Sequence, residues 1–319
     1  MNIRSRRPNF IIVQGTSYSG SGVVYDYLSG RGDLNDPLQG IEYQLPQMPN
    51  GLMALEALTK SAFHPGTIDY VLTQFENISK KLSRSKRYWR YGKGYSSKLP
   101  LFEVEIKKFI EEICSVEFPM HLHWQQLIRT ETPIFYLINK LKNRLSNRKL
   151  APCTRLVVSQ KDFILAAQKL HYKLFQRDSI NQSTLLNQAG SGWNPVESTK
   201  YFLDRKVILV TRDPLDQFAE LKQFKKAHGV SGFIDWYKEM QKRLEDINNP
   251  DVLILKFEDF VNDYKKNIEI VCNHVFLNTS LQSNYEPNLS KNNIGKYQNY
   301  LEQKEINLIQ SNLSKYLYN

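Results

Sequence analysis

Gly15, Gly20 and Gly22, interleaved with Ser17, Ser19 and Ser21, are residue types suited to holding an anion. Glycine tolerates positive φ and lets backbone N–H groups come close to a charged ligand. The serines add hydroxyl donors. The interval from Gly15 to Gly20 is the G-x-x-x-x-G of a nucleotide phosphate loop, but the Lys-Ser/Thr pair that should follow is Ser21-Gly22. Both the ammonium for a terminal phosphate and the hydroxyl for magnesium are therefore in question. Two readings stay open on these residues alone: a loop for some other anion, or a plain turn between a strand and a helix.

A second cluster stands late in the chain. KVILVTRDPLDQFAELKQF (206–224) reads as a buried strand that ends in Arg212-Asp213-Pro214 and runs into a helix carrying Asp216. An arginine at a strand's carboxyl end, beside a proline-started helix, can grip a phosphate with two parallel N–H donors. The alternative is a capped turn with an internal ion pair.

The elements that must position these residues follow from hydrophobic patterning. Phe10–Val13 makes a short buried strand ahead of the glycine loop, and an amphipathic helix follows it. The runs 154–159, 183–188, 206–211 and 251–257 are short, β-branched and apolar, as strands of a parallel sheet buried on both faces should be. Helical periodicity fills 161–177, 195–203, 214–226, 231–246 and 258–275 between them. Strands alternating with helices at this spacing predict an α/β fold with helices on both faces of a central, mostly parallel sheet. The interval 46–150 differs, with helix periodicity in 51–62, 67–83, 101–128 and 133–147 and little strand character. The expected organisation is one domain over residues 1–319 with a helical, acceptor-binding insertion at about 46–150. In open α/β sheets ligands lie beyond the carboxyl ends of the strands, where such an insertion departs.

Composition bounds the function. The 319 residues carry a net charge of +11, from 43 basic against 32 acidic side chains, which favours polyanionic partners without naming one. The three cysteines, Cys114, Cys153 and Cys272, lie far apart with no C-x-x-C pair, which argues against a disulfide scaffold or a cysteine-rich zinc site. No apolar run approaches the ~18 residues of a membrane span. MNIRSRRPNF has no apolar leader-like core, and the expected location is cytoplasmic.

Taken together, the strand–glycine loop near the N-terminus and the later V-T-R-D-P-L-D run resemble the sulfotransferase family. VLILKFEDFVNDYKKNIEIVCNHV (252–275) is similar to that family's strand and following helix, and 288–317 to its C-terminal loop and closing helix. The resemblance covers about residues 9–45 and 183–317. It implies a P-loop-like three-layer fold and transfer of sulfonate from 3′-phosphoadenosine 5′-phosphosulfate (PAPS) to a hydroxyl or amine, without a metal. By the same resemblance Ser19, Gly20, Ser21 and Gly22 fall on the phosphosulfate loop and Arg212 on the 3′-phosphate arginine; Ser17 and Tyr18, whose hydroxyls can donate, are expected to join the donor site. Ser290, Lys291, Asn292, Gly295 and Lys296 fall loosely on the C-terminal phosphate-contacting loop. Glu42 stands where some members, notably the protein-tyrosine and related bacterial types, carry a catalytic glutamate. Other members use a histidine, for which FPMHLHW offers His121 and His123; spacing from the loop favours Glu42.

Two departures are visible. Tyr18 replaces a Lys or Arg that helps to stabilise the leaving group, and Glu220 replaces a phosphate-binding serine. Sulfonate transfer makes the missing lysine intelligible, since it needs in-line positioning and stabilisation of the leaving phosphate oxygen but no magnesium bridge. The basic run 80–98, with Tyr88, Trp89, Tyr91 and Tyr95 interleaved, reads as a groove for an acidic or sugar acceptor or as a basic surface loop with inward-packed aromatics. A single-stranded nucleic-acid surface is disfavoured. The acceptor class expected is a glycan or another cell-surface molecule. The rival functions are a non-catalytic nucleotide- or anion-binding protein on the same fold, and a P-loop phosphotransferase in which Asp213 would serve magnesium.

Overall fold

The apolar run after Asn9 becomes strand β1, Phe10–Gly15, in which Phe10, Ile11, Ile12 and Val13 are fully buried. The computed structural model describes residues 7–61, 65–85, 92–119, 137, 141, 153–157, 160–175 and 182–318. Among these the further strands are β2 (Cys114–Pro119), β3 (Cys153–Val157), β4 (Thr184–Asn187), β5 (Arg205–Thr211) and β6 (Val252–Lys256). The chain forms two compact units, Met1–Pro46 with Phe175–Asn319, and Gln47–Leu174.

In the first unit four strands form a parallel sheet in the order β4-β1-β5-β6. β1 lies between β4 and β5, so the loops leaving β1 and β5 emerge side by side at the carboxyl edge. Alternation along β5 divides the core. Ile208 and Val210, with Ile11 and Val13, pack against the helices Gly22–Ser29, Phe257–Asn262 and Tyr264–His274. Leu209 faces the other way, toward the helices Pro214–Gln223, Val230–Glu245 and Gln303–Leu313. The result is an α/β unit of three layers. Each of these fully buried aliphatic side chains contributes roughly 1.5–3 kcal/mol by leaving water.

Several expectations need correction. The run 154–159 does form a strand, but β3 pairs antiparallel with β2 in a separate two-stranded sheet of the second unit. A β-branched run does not encode its partner, and Arg155 in its midst is held by Glu76 and by Asp69 at 3.5 Å, both on the helix Pro65–Ser83. The helix expected over 101–128 ends at Ile113, where the stripe Phe102, Ile106, Phe109, Ile110, Ile113 stops and Cys114 turns extended. β2 follows directly, so the interval expected to be helical contains a strand. β6 is an edge strand with Ile254 40% exposed, so it is not buried on both faces. The helix expected over 258–275 is broken at Asp263 (φ −103, ψ 47), and Asn267 Nδ2 donates to the carbonyls of Asp259 and Asp263 across the break. The expected helix 133–147 lies almost wholly outside the described residues, as do His121, His123, Tyr88, Trp89 and Tyr91. Tyr95 is fully buried edge-on against Phe102 at 5.3 Å. Among the described residues no helix is long and apolar enough to cross a membrane.

Candidate functional site

The loop from Gly15 to Gly22 is anchored to the later part of the chain through its carbonyls. Gln217 Nε2 donates to the carbonyls of Ser17 at 2.6 Å and Thr16 at 3.1 Å, and Arg212 Nη1 donates to that of Tyr18 at 3.1 Å. Ser19 Oγ accepts the Thr16 amide, and the Ser19 amide returns to the Thr16 carbonyl. Among the described residues, the amides of Ser17, Tyr18, Gly20, Ser21 and Gly22 meet no protein acceptor. Tyr18 (φ 61) and Gly20 (φ 80) are left-handed, a local conformation that gathers successive N–H groups into an anion-binding concavity. The helix Gly22–Ser29 begins at its rim with no acidic residue in the first turn, so its positive end is uncompensated. Gly20 is also required by space, since a Cβ there would lie 2.4 Å from Phe257 Cδ2.

Arg212 stands beside this loop, 4% exposed, with its guanidinium over the Phe257 ring at 4.9 Å. Its contacts are internal. Nη1 donates to the Glu220 carboxylate as well as to Tyr18, and Nη2 donates to the Asn293 carbonyl at 2.7 Å. Lys296 Nζ is 3.4 Å from the same Glu220 carboxylate. Arg212 Nε is buried with no partner among the described residues.

The other acids of this edge are structural clamps. Asp213 caps the helix Pro214–Gln223, accepting the Leu215 amide at 2.7 Å, while its second oxygen accepts the Tyr318 amide at 2.7 Å. Burial pushes its carboxyl up. Both oxygens thus accept backbone amides, one capping the helix and one holding the C-terminal segment. Asp216 accepts the amides of Gly295 at 2.7 Å and Tyr297 at 3.0 Å and so pins the C-terminal loop against Arg212. Burial raises its carboxyl, partly offset by those two amides and by Arg212 and Lys296. Glu258, fully buried in the first turn of the helix Phe257–Asn262, accepts the Asp213 amide at 2.9 Å, and burial pushes its carboxyl up to about 7. Among the described residues no group of three or more His, Cys, Asp or Glu is arranged to hold a metal ion.

The chain is similar in structure to sulfotransferases. The sulfotransferase domain of the Synechococcus PCC 7002 olefin synthase aligns over 98% of this chain and 96% of its own, at 12% identity and a TM-score of 0.45. The sulfotransferase domain of the curacin biosynthetic pathway aligns over 98% and 100%, at 12% identity and 0.42. A sulfotransferase from Alicyclobacillus acidocaldarius aligns over 96% and 95%, at 11% identity and 0.39. No family model matches the chain, and no curated protein matches it. Identity at this level leaves the role of each side chain to this chain's own geometry.

That geometry brings together Ser17–Gly22, Arg212, Glu220, Asn293, Gly295 and Lys296. Tyr18 shares the site through its backbone, while its ring stacks on Phe224 at 5.4 Å. Ser290 accepts from the Tyr285 hydroxyl at 2.9 Å, and Lys291 and Asn292 are exposed. Glu42 is half-buried, accepts from Gln44 Nε2 at 2.8 Å, and precedes Tyr43, whose amide donates to the Asn187 carbonyl at 2.8 Å. Asn187 is the register partner of Val13, so Glu42 comes to the carboxyl edge one strand from the glycine loop. His123 lies outside the described residues.

Two glutamines escaped notice in the sequence. Gln217 sits inside the buried stripe Pro214, Phe218, Leu221, and a polar residue at an apolar helical position was a readable signal. Gln188 accepts the Gly15 amide at 3.3 Å and donates to Ser21 Oγ at 2.8 Å. Nothing local marked it, because both contacts cross from one strand end to another.

Proposed function

We propose that the chain is a sulfotransferase that moves a sulfonate group from PAPS to a hydroxyl or amine of an acceptor, with a glycan or other cell-surface molecule as the acceptor class. The observation that carries this reading is the set of amides at Ser17, Tyr18, Gly20, Ser21 and Gly22 that meet no protein acceptor among the described residues, at a helix N-terminus, with hydroxyls of Ser17, Ser19 and Ser21 but no lysine. A sulfonate bears less charge than a terminal phosphate, and backbone dipoles fixed before reaction can stabilise the 5′-phosphate oxygen as it leaves. The acceptor oxygen attacks sulfur, the S–O bond to the 5′-phosphate breaks, and the acceptor's proton passes to a base. Glu42 is assigned that role, and a positioned carboxylate base contributes on the order of 10²–10⁴-fold.

The test is transfer of ³⁵S from labelled PAPS to a panel of sugars, tyrosine peptides and amines, with adenosine 3′,5′-bisphosphate release followed in parallel. Label transferred by the wild type and lost in Glu42→Gln supports the reading. No label and no bisphosphate, with magnesium-dependent transfer from ATP instead, would replace it with a phosphotransferase. The second reading, non-catalytic anion binding, is favoured by Glu220 on Arg212 and by the Tyr18 ring stacked away on Phe224. Tight bisphosphate binding without turnover would be its mark.

A further inference from the structure

Arg212 and Lys296 converge on one carboxylate. Glu220 accepts from Arg212 Nη1 and lies 3.4 Å from Lys296 Nζ, and the three side chains are 2%, 20% and 13% exposed for Arg212, Glu220 and Lys296. Both cations also act on the Asp216 carboxylate, yet Arg212 Nε is a buried donor with no acceptor among the described residues. As placed, a single Glu220 oxygen is shared by Arg212 Nη1 and Lys296 and leaves Nε unmet, whereas a phosphate, with three acceptor oxygens, is better matched to the three donors. The cluster adjoins the glycine loop, since Nη1 also reaches the Tyr18 carbonyl. A ligand held here and in the loop would carry two anionic groups on one small scaffold.

We propose that Arg212 and Lys296 form an anion cradle whose resident occupant is the Glu220 carboxylate, and that Glu220 competes with the 3′-phosphate of the donor nucleotide and thereby sets donor affinity. The identity of the incoming group as a 3′-phosphate rests on the function proposed above; the cradle rests on geometry alone. Glu220 sits in the last turns of the helix Pro214–Gln223 and is partly exposed, so a rotamer change can release its carboxylate without moving the backbone. Until it leaves, an entering phosphate meets a like charge and a donor already in use.

The experiment titrates wild type, Glu220→Gln, Glu220→Ser and the double variant Glu220→Gln with Lys296→Gln by calorimetry. The probes are inorganic phosphate, adenosine 3′,5′-bisphosphate and 5′-AMP. Arg212 keeps Tyr18 and Asn293 in every variant, which preserves the loop anchors. Inorganic phosphate is expected to bind both single variants at least tenfold more tightly than wild type, and the gain is expected to vanish in the double variant. Bisphosphate affinity should rise at least tenfold in the single variants while 5′-AMP stays within twofold. Unchanged phosphate affinity in both single variants, or an equal rise for 5′-AMP, overturns the cradle. A gain for inorganic phosphate with no nucleotide bound by any variant leaves the cradle standing and removes the donor reading instead.

Discussion

Replacing Glu258 by glutamine should stabilise the protein at pH 8 and leave it nearly unchanged at pH 5. The side chain is fully buried in the first turn of the helix after β6, where one oxygen accepts the Asp213 amide at 2.9 Å and the other has no partner among the described residues. Burial raises the carboxyl from its ordinary 4.5 to about 7, with the Asp213 carboxylate adding to the rise and the backbone amides and Arg212 opposing it. The folded chain therefore holds this proton more tightly than the unfolded chain. Its contribution is fully present below pH 4.5 and is lost as pH rises through about 7. The loss amounts to ~3 kcal/mol. Glutamine keeps the acceptor for Asp213 and cannot ionise, so at pH 8 it should recover most of that loss. For a chain of this size the gain is on the order of 5 °C in melting temperature. Thermal melts by circular dichroism at pH 5 and pH 8 measure it. A variant less stable than wild type at pH 8, or a difference that is the same at both pH values, would refute the reasoning and make Glu258 a favourably paired anion of Arg212.

Three further outcomes are expected. Gly20→Ala should weaken bisphosphate binding at least tenfold by calorimetry, because the new Cβ meets Phe257 at 2.4 Å and a left-handed φ costs an L-residue roughly 1–2 kcal/mol. Glu42→Gln should lower turnover about 10²-fold or more while nucleotide affinity stays within twofold, and an unchanged rate constant would remove Glu42 as base. Gln217→Leu frees the carbonyls of Thr16 and Ser17 and should destabilise by about 1–3 kcal/mol. Hydrogen exchange at residues 16–20 should quicken, and unaltered protection there would count against Gln217 as the loop's anchor.

Some elements are legible locally, although the helix stop at Ile113 and the break at Asp263 are not. The strands of the parallel sheet from Phe10, Thr184, Arg205 and Val252 show as short apolar runs because a strand buried in a sheet needs little but apolar, β-branched residues. The glycine loop shows because only glycine serves at Gly20, and the Pro214 helix start shows because Asp213-Pro214 is a capping pattern. Pairing is not local. Nothing within 154–159 says that its partner is β2 and not β1, and nothing in 251–257 says that the strand is an edge. The amino-acid sequence alone thus determined an α/β chain with a glycine loop after its first strand and an arginine at the end of a later one. Only the tertiary structure decided that the Arg212 guanidinium, eight residues and a helix start away from Glu220, is already occupied by that carboxylate. It also decided that Lys296, brought in by the Asp216 clamp on Gly295 and Tyr297, closes the same site. Charge complementarity acts through space, and three residues spread over 85 positions become neighbours only once the sheet and its helices have packed.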